Sequence, residues 1–336
     1  MRKHFAAALA VSLAALSACE PADQDATLGP SAEALAYSAG PNVVEVTTSH
    51  LDFGLSRDEI ASGWTTFRYR NRSHHTHFFL IEKLPLFDKD GDGMPEQMRL
   101  ADYFEDLSKP FQNLMDDMIG RPQSFPGATF GAWSLEYLGG PGLTGAGETS
   151  NVTVWLDPGL YVLECYVKTA DGTFHVVEGM AVELVVGDRQ NRAGPPPNPS
   201  VRLTLSVAEG IEVEGSIDRA GTHTVEVHFS DQMYYDNFVQ HDVNLVRLDA
   251  GTELERVASW LDWRVVPGDP YYSAFGGMTT PAPATFLGGT QEGPAGSTTY
   301  FTVHLEKGDY AWIAELPAMD LLAPSGPDWI VPFSVR

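Results

Sequence analysis

Two stretches of this chain read as copies of one another, and from Leu138 onward the copies lie a constant 149 residues apart. Leu138-Gly-Gly140 recurs as Leu287-Gly-Gly289, and Leu184-Val-Val186 is answered by Phe333-Ser-Val335. Thr153-Val-Trp-Leu-Asp-Pro-Gly159-Leu-Tyr161 recurs as Thr302-Val-His-Leu-Glu-Lys-Gly308-Asp-Tyr310. Further upstream, the run from His77 to Leu84 is answered by the run from His241 to Leu248. Solenoid units are shorter than this, so the repeat means two duplicated domains.

The local patterns say what is duplicated. Segments 43–47, 65–70, 152–156, 161–167 and 182–186 are rich in β-branched and aromatic residues. So are 201–207, 223–229, 243–248, 300–305 and 310–315 in the second half. Gly, Pro, Asn and Asp turns separate them, as in an all-β sandwich. Only 98–119 departs. There Leu100, Phe104, Leu107, Phe111, Leu114, Met115 and Met118 recur at helical spacing, interrupted by Pro110. Residues 85–125 therefore read as a partly helical insertion in domain 1, which spans 41–187. Pro195-Pro-Pro-Asn-Pro199 lies in a stiff linker, 188–200, and domain 2 spans 201–336.

The first eighteen residues read as a signal peptide rather than as fold. Arg2 and Lys3 precede an apolar run, and Leu16-Ser-Ala-Cys19 matches a bacterial lipobox. The run is shorter than the ~20 residues of a membrane-spanning helix. Cys19 is thus expected to carry lipid and to begin the mature protein, with 19–40 as a flexible tether. The expected location is the periplasm or cell surface, lipid-anchored, with Glu20 favouring the outer membrane. Of two Cys residues, lipidation uses one and leaves Cys165 alone in an oxidising compartment. Metal ligation is one account of such a thiol; a small buried hydrophobe is the other.

Charge narrows the partners. The chain carries 21 basic and 45 acidic residues, a formal charge of −24. Nucleic acid is excluded, because phosphate binding needs a basic footprint. A basic protein partner would be steered favourably.

Cys165 is followed after nine residues by His175-Val-Val-Glu-Gly-Met180. Thiolate, imidazole and thioether make a soft donor set of the kind that suits copper. Upstream, Asn71-Arg-Ser-His74-His75-Thr-His77 offers a second imidazole. Asn71, His77, Gly159, Tyr161, Cys165, His175, Gly179 and Met180 together resemble the cupredoxins, the plastocyanin and azurin superfamily. The connection from Cys to His is longer than that family's. The resemblance implies two tandem Greek-key β-sandwiches and a copper site of His77, Cys165, His175 and Met180. His77 is chosen because it stands just before an apolar strand and pairs with His241 in the repeat. In the second copy Cys165, His175 and Met180 become Ala314, Pro324 and Trp329, so domain 2 lacks the ligands.

Asp88-Lys-Asp90-Gly-Asp92-Gly93 opens like an EF-hand calcium loop, with Glu96 at the ninth position. Arg99 stands where a bidentate Glu belongs, and Asp102 or Glu105 is a possible substitute; the other reading is a solvated turn. There is no His-Glu-x-x-His, Gly-x-Ser-x-Gly or Gly-x-x-x-x-Gly-Lys, so the chain is expected not to be an enzyme. The leading expectation is one copper in domain 1, for electron transfer or copper handling, with a c-type cytochrome or membrane complex as partner. The alternative is a copper-free scaffolding subunit on a respiratory or photosynthetic membrane complex. A copper oxidase ranks below both.

Overall fold

The computed structural model describes residues 42–89, 91–131, 134–196 and 198–336. The signal segment, the tether and Cys19 lie outside the described residues, as does Asp90. Among the described residues, no helix is long and apolar enough to cross a membrane.

The first half contributes β1 (Val43–Thr48), β2 (Gly54–Leu55), β3 (Glu59–Asn71), β4 (Leu80–Lys83), β5 (Leu86–Phe87) and β6 (Glu96–Gln97). After a helical insertion come β7 (Glu136–Tyr137), β8 (Thr149–Leu156), β9 (Gly159–Glu164) and β10 (Ala181–Gln190). One sheet holds β2, β1, β3 and β8; the facing sheet holds β10, β9, β4 and β7. The long β3 belongs to both. Its residues Glu59–Ser62 pair with β10, and beyond Gly63 it pairs with β8. Gly63, at φ +104°, makes the change of sheet possible in a conformation other residues avoid. Val44, Phe67, Phe79, Val152, Tyr161 and Leu184 fill the space between the sheets. Their alternation with outward residues is what made the strands legible.

The second half repeats the plan with β11 (Val201–Ser206), β12 (Gly210–Gly215), β13 (Gly221–Phe229) and β14 (Val243–Arg247). Then follow β15 (Thr285–Thr290), β16 (Thr298–Leu305), β17 (Gly308–Ile313) and β18 (Ile330–Val335). The sheets are β12-β11-β13-β16 and β15-β14-β17-β18. Each half opens with the same parallel pair, β1 on β3 and β11 on β13. The fold is all-β, two tandem sandwiches built from one repeated plan.

The halves are joined by more than the linker. β8 meets β16 at Thr153 and Tyr300, giving a continuous sheet across both copies. The related pair, Asn151 and Thr302, exchanges two hydrogen bonds of 2.7 and 2.9 Å between the Asn side chain and the Thr backbone. Gly139 N–H donates to the Glu292 carbonyl at 2.6 Å, and its repeat mate Gly288 donates to Leu143 at 2.8 Å. Contacts that recur with the copies exchanged are the mark of a pseudo-two-fold interface.

The insertion carries α1 (Leu100–Tyr103), a π-turn (Phe104–Ser108) and α2 (Lys109–Met118). Pro110 explains the π-turn, since a proline ring clashes with the carbonyl four residues back and lacks its own N–H. Lys109 N–H reaches the Phe104 carbonyl instead. The carbonyl of Asp106 accepts a hydrogen bond from Gly131 N–H at 3.0 Å. The helix expected across Pro110 is thus kept by locally widening it.

Candidate metal centre

His77, Cys165 and His175 come from separate places in the first half and meet in its interior. One ligand atom from each lies within 4.8 Å of the others. Both imidazoles turn Nδ1 toward the sulfur, His77 at 3.9 Å and His175 at 3.7 Å. All three side chains are fully buried.

Asn71, at the end of β3, sets the position of His77. Its buried amide donates to the carbonyls of His75, Thr144 and Gly145 at 2.7, 2.8 and 3.0 Å. Its Oδ1 accepts Ser73 N–H and Oγ–H, closing the loop before His77. His77 then exchanges backbone hydrogen bonds with Thr144 at 3.1 and 2.7 Å. Asn71→Ala should remove one donor from each of those carbonyls and the acceptor of Ser73 N–H, and cost roughly 1–3 kcal/mol in denaturant unfolding. It should also weaken metal affinity by about 10–100-fold, as loss of a ligand's support does elsewhere. Unchanged stability and affinity would show that the loop holds itself.

Cys165 directly follows β9. Backbone N–H groups of Phe78 and Val167 bond its sulfur, the arrangement a thiolate needs. His175 N–H donates to the Val167 carbonyl at 2.8 Å, and a tight turn leads through Gly179, at φ +104°, to Met180. Met180 N–H donates to the His175 carbonyl at 3.0 Å, and its own carbonyl accepts Cys165 N–H at 3.2 Å. The buried Met180 is therefore tied by its backbone to both neighbouring ligands.

The long stretch between Cys165 and His175 is a small docked hairpin. Thr169 and Thr173 close it, and Lys168 donates to the carbonyls of Trp263 and Phe275, both at 2.5 Å. Gln112 of α2 accepts Phe174 N–H at 2.9 Å. The extra length thus binds the site to the insertion and to the second half.

Burial drives His77 down to about 3 and His175 to about 2, so both rings are neutral at pH 7. Burial, helped by the nearby Glu164 and Glu315 carboxylates, pushes the Cys165 thiol up, against the two backbone donors that favour its anion. Neutral imidazoles beside a sulfur supplied with N–H donors fit a soft metal ion, which would replace the thiol proton. His74 and His75 are exposed on the loop.

The second half keeps the frame and changes the donors. Ala314 N–H donates to the Trp329 carbonyl at 3.2 Å, the counterpart of Cys165 to Met180. Trp329 packs on His241 with ring centroids 4.7 Å apart, and His241 Nε2 lies 3.0 Å from the Tyr235 hydroxyl. His241 is a buried core residue whose Nε2 meets the Tyr235 hydroxyl, while its Nδ1 lies 3.9 Å from the Asp231 carboxylate and has no hydrogen-bond partner among the described residues.

The calcium loop is not supported. Asp88 spends its two oxygens on Gly91 and Gly93 N–H at 2.8 and 2.9 Å, and Asp92 accepts Met94 N–H at 2.7 Å. Glu96 stands exposed in β6 opposite Phe87. Asp102 pairs with Lys89 and accepts Arg99 N–H ahead of α1. The described carboxylates fold a turn instead of converging on an ion. Asx-type hydrogen bonds use the same alternating Asp and Gly residues, which is why the motif misled.

No family model and no curated protein matches the sequence. Among solved structures, the chain is similar to auracyanin from Roseiflexus castenholzii at 17% identity and TM-score 0.26, covering 44% of this chain and 99% of that one. Auracyanin A, a "blue" copper protein from Chloroflexus aurantiacus, matches at 20% identity and TM-score 0.25, covering 44% and 100%. A copper-containing nitrite reductase from Thermus scotoductus matches at 10% identity and TM-score 0.21, covering 88% and 61%. The chain resembles copper proteins. At such TM-scores no inference rests on the likeness, and the fold is assigned from the strand pairing above. One expectation is withdrawn nonetheless, that the chain is not an enzyme. The proteins similar over most of its length are named as a nitrite reductase and multicopper oxidases, which are enzymes. Copper-based redox chemistry needs none of the hydrolase or nucleotide motifs whose absence prompted that expectation.

Proposed function

We propose that the first sandwich binds one copper ion, which His77, Cys165 and His175 would hold with Met180 as a further soft donor, and that the chain transfers electrons. The observation that carries this is the buried His–Cys–His cluster, with both Nδ1 atoms facing the sulfur. Bound copper supplies a one-electron couple tuned by its soft ligands. The chain's part is to fix the ligands, exclude water and keep N–H donors on the sulfur. Since none of the three ligands reaches the surface, exchange of the ion with another carrier is hindered. That favours electron transfer over copper delivery, and the acidic balance suits a basic redox partner. Metal analysis and visible absorption of protein purified from its own host test the reading. One copper per chain with an intense thiolate-to-copper band is expected. Metal-free protein after copper-replete growth would leave a scaffolding role instead.

The lipid anchor belongs to the same proposal. Mass spectrometry of the native protein is expected to find an acylated Cys19 at the N-terminus. An intact Met1 would refute the anchor.

A further inference from the structure

A cavity of about 280 Å³ lies where the first sandwich, the helical insertion and the second half meet. Glu82, Glu164 and Glu292 line it, each at most 3% exposed, and no Lys or Arg stands among its described lining residues. The β4–β9 register sets Leu80 opposite Glu164 and Glu82 opposite Val162, so Glu82 and Glu164 are diagonal neighbours on one sheet face. Glu292 arrives from the second half, beyond β15.

These carboxylates are under-satisfied. Oε2 of each has no hydrogen-bond partner among the described residues. A further, uncharged group is also unmatched. Asn237 is fully buried and lines the cavity, and neither its amide nitrogen nor its oxygen has a partner. Buried polar groups without partners are costly, and buried carboxylates without a counter-charge more so. Burial pushes the Glu82 carboxyl up to about 8 and that of Glu292 to about 7.

The walls say which cation fits. Tyr103, Tyr137 and Trp263 line the cavity with the acids, and aromatic faces attract organic cations. Phe130, Tyr234 and Phe238 line the space and are more than half exposed, which places them at its mouth. Phe238 adopts φ +65°, a strained conformation for a bulky residue and one found at ligand clamps. A bare metal ion fits less well. The volume is several times the ~30 Å³ share of one water. Nor do the three carboxylates form a cluster as tight as that of His77, Cys165 and His175.

We propose that this cavity binds a small organic ammonium compound, its charge held by Glu82, Glu164 and Glu292 and its apolar body by the aromatic walls. Asn237 supplies the remaining donor and acceptor. The proposal is independent of copper, and the test is run on the full chain with and without copper. Calorimetry should show 2-phenylethylammonium binding with one-to-one stoichiometry. The uncharged isostere 2-phenylethanol should bind at least tenfold more weakly. Glu82→Gln and Glu292→Gln, with circular dichroism confirming the fold, should each weaken the amine at least fivefold and leave the alcohol unchanged. Should those variants not fold, the wild-type melting temperature decides: the ammonium raises it and the alcohol does not. Equal binding of amine and alcohol would overturn the proposal, as would no amine binding. Saturable Mn²⁺ binding that the amine cannot displace would overturn it too.

Discussion

Cys165→Ser is expected to empty the metal site. Copper per chain should fall from one to background, and the visible band should vanish, because the thiolate is both the soft ligand and the source of the colour. The fold should survive. Serine is nearly isosteric, and the N–H groups of Phe78 and Val167 that bond the sulfur can bond the hydroxyl instead. Loss of affinity is expected to exceed the roughly 10–100-fold that follows from disturbing a ligand's support alone. His241→Ala is the control. His241 occupies the repeat-related position but faces Trp329 and Tyr235, so copper content and colour should be unchanged. A Cys165→Ser protein that keeps one copper and its colour would remove Cys165 from the site.

Gly140→Ala is expected to be the most damaging Gly→Ala change among the described glycines. A Cβ there would stand 1.9 Å from the Phe79 carbonyl oxygen, at φ +140°. Its repeat mate Gly289 is equally constrained, 2.1 Å from the Val243 carbonyl. The obstacle is backbone, which cannot turn aside as a side-chain tip can. Strain and overpacking together should cost roughly 3–5 kcal/mol, a fall in melting temperature on the order of 10 °C. Gly147 separates the two causes. It sits at φ +78° with nothing within 4 Å of a Cβ, so Gly147→Ala should cost only about 1 kcal/mol. Equal melting temperatures for the two variants would mean that the Phe79 contact relaxes freely. Because Phe79 lies two residues from His77, Gly140→Ala should also broaden or weaken the copper band.

The recurring Leu-Gly-Gly shows how far the sequence reached. Its repetition announced the duplication, yet its purpose is clear only from the two glycines packed against backbone at a pseudo-two-fold junction. Strand patterns were legible because alternation between core and solvent is local. The cluster of His77, Cys165 and His175 was legible because each stands at a strand or turn end marked by Asn71, Tyr161 or Gly179. The Asp88 loop misled for the converse reason, since a turn and a calcium site call for the same residues. Asn71 belongs to the same pattern, an Asn that ends a β-rich run just before a His, but the loop it closes is visible only in the structure. The Phe78 and Val167 N–H groups could not be singled out, because any residue supplies a backbone donor.

The sequence by itself determined the duplication, the all-β class, the helical insertion and the asymmetry of donors between the copies. These follow from residue type at fixed spacing. The tertiary structure alone decided that the copies share a sheet, that the long Cys-to-His hairpin docks on the insertion and the second half, and that the donors are fully buried. It alone brought Glu82, Glu164 and Glu292 from three strand regions to one cavity. Each of these depends on which surfaces meet across the pseudo-two-fold axis, and contacts between residues distant in the chain leave no periodicity to read.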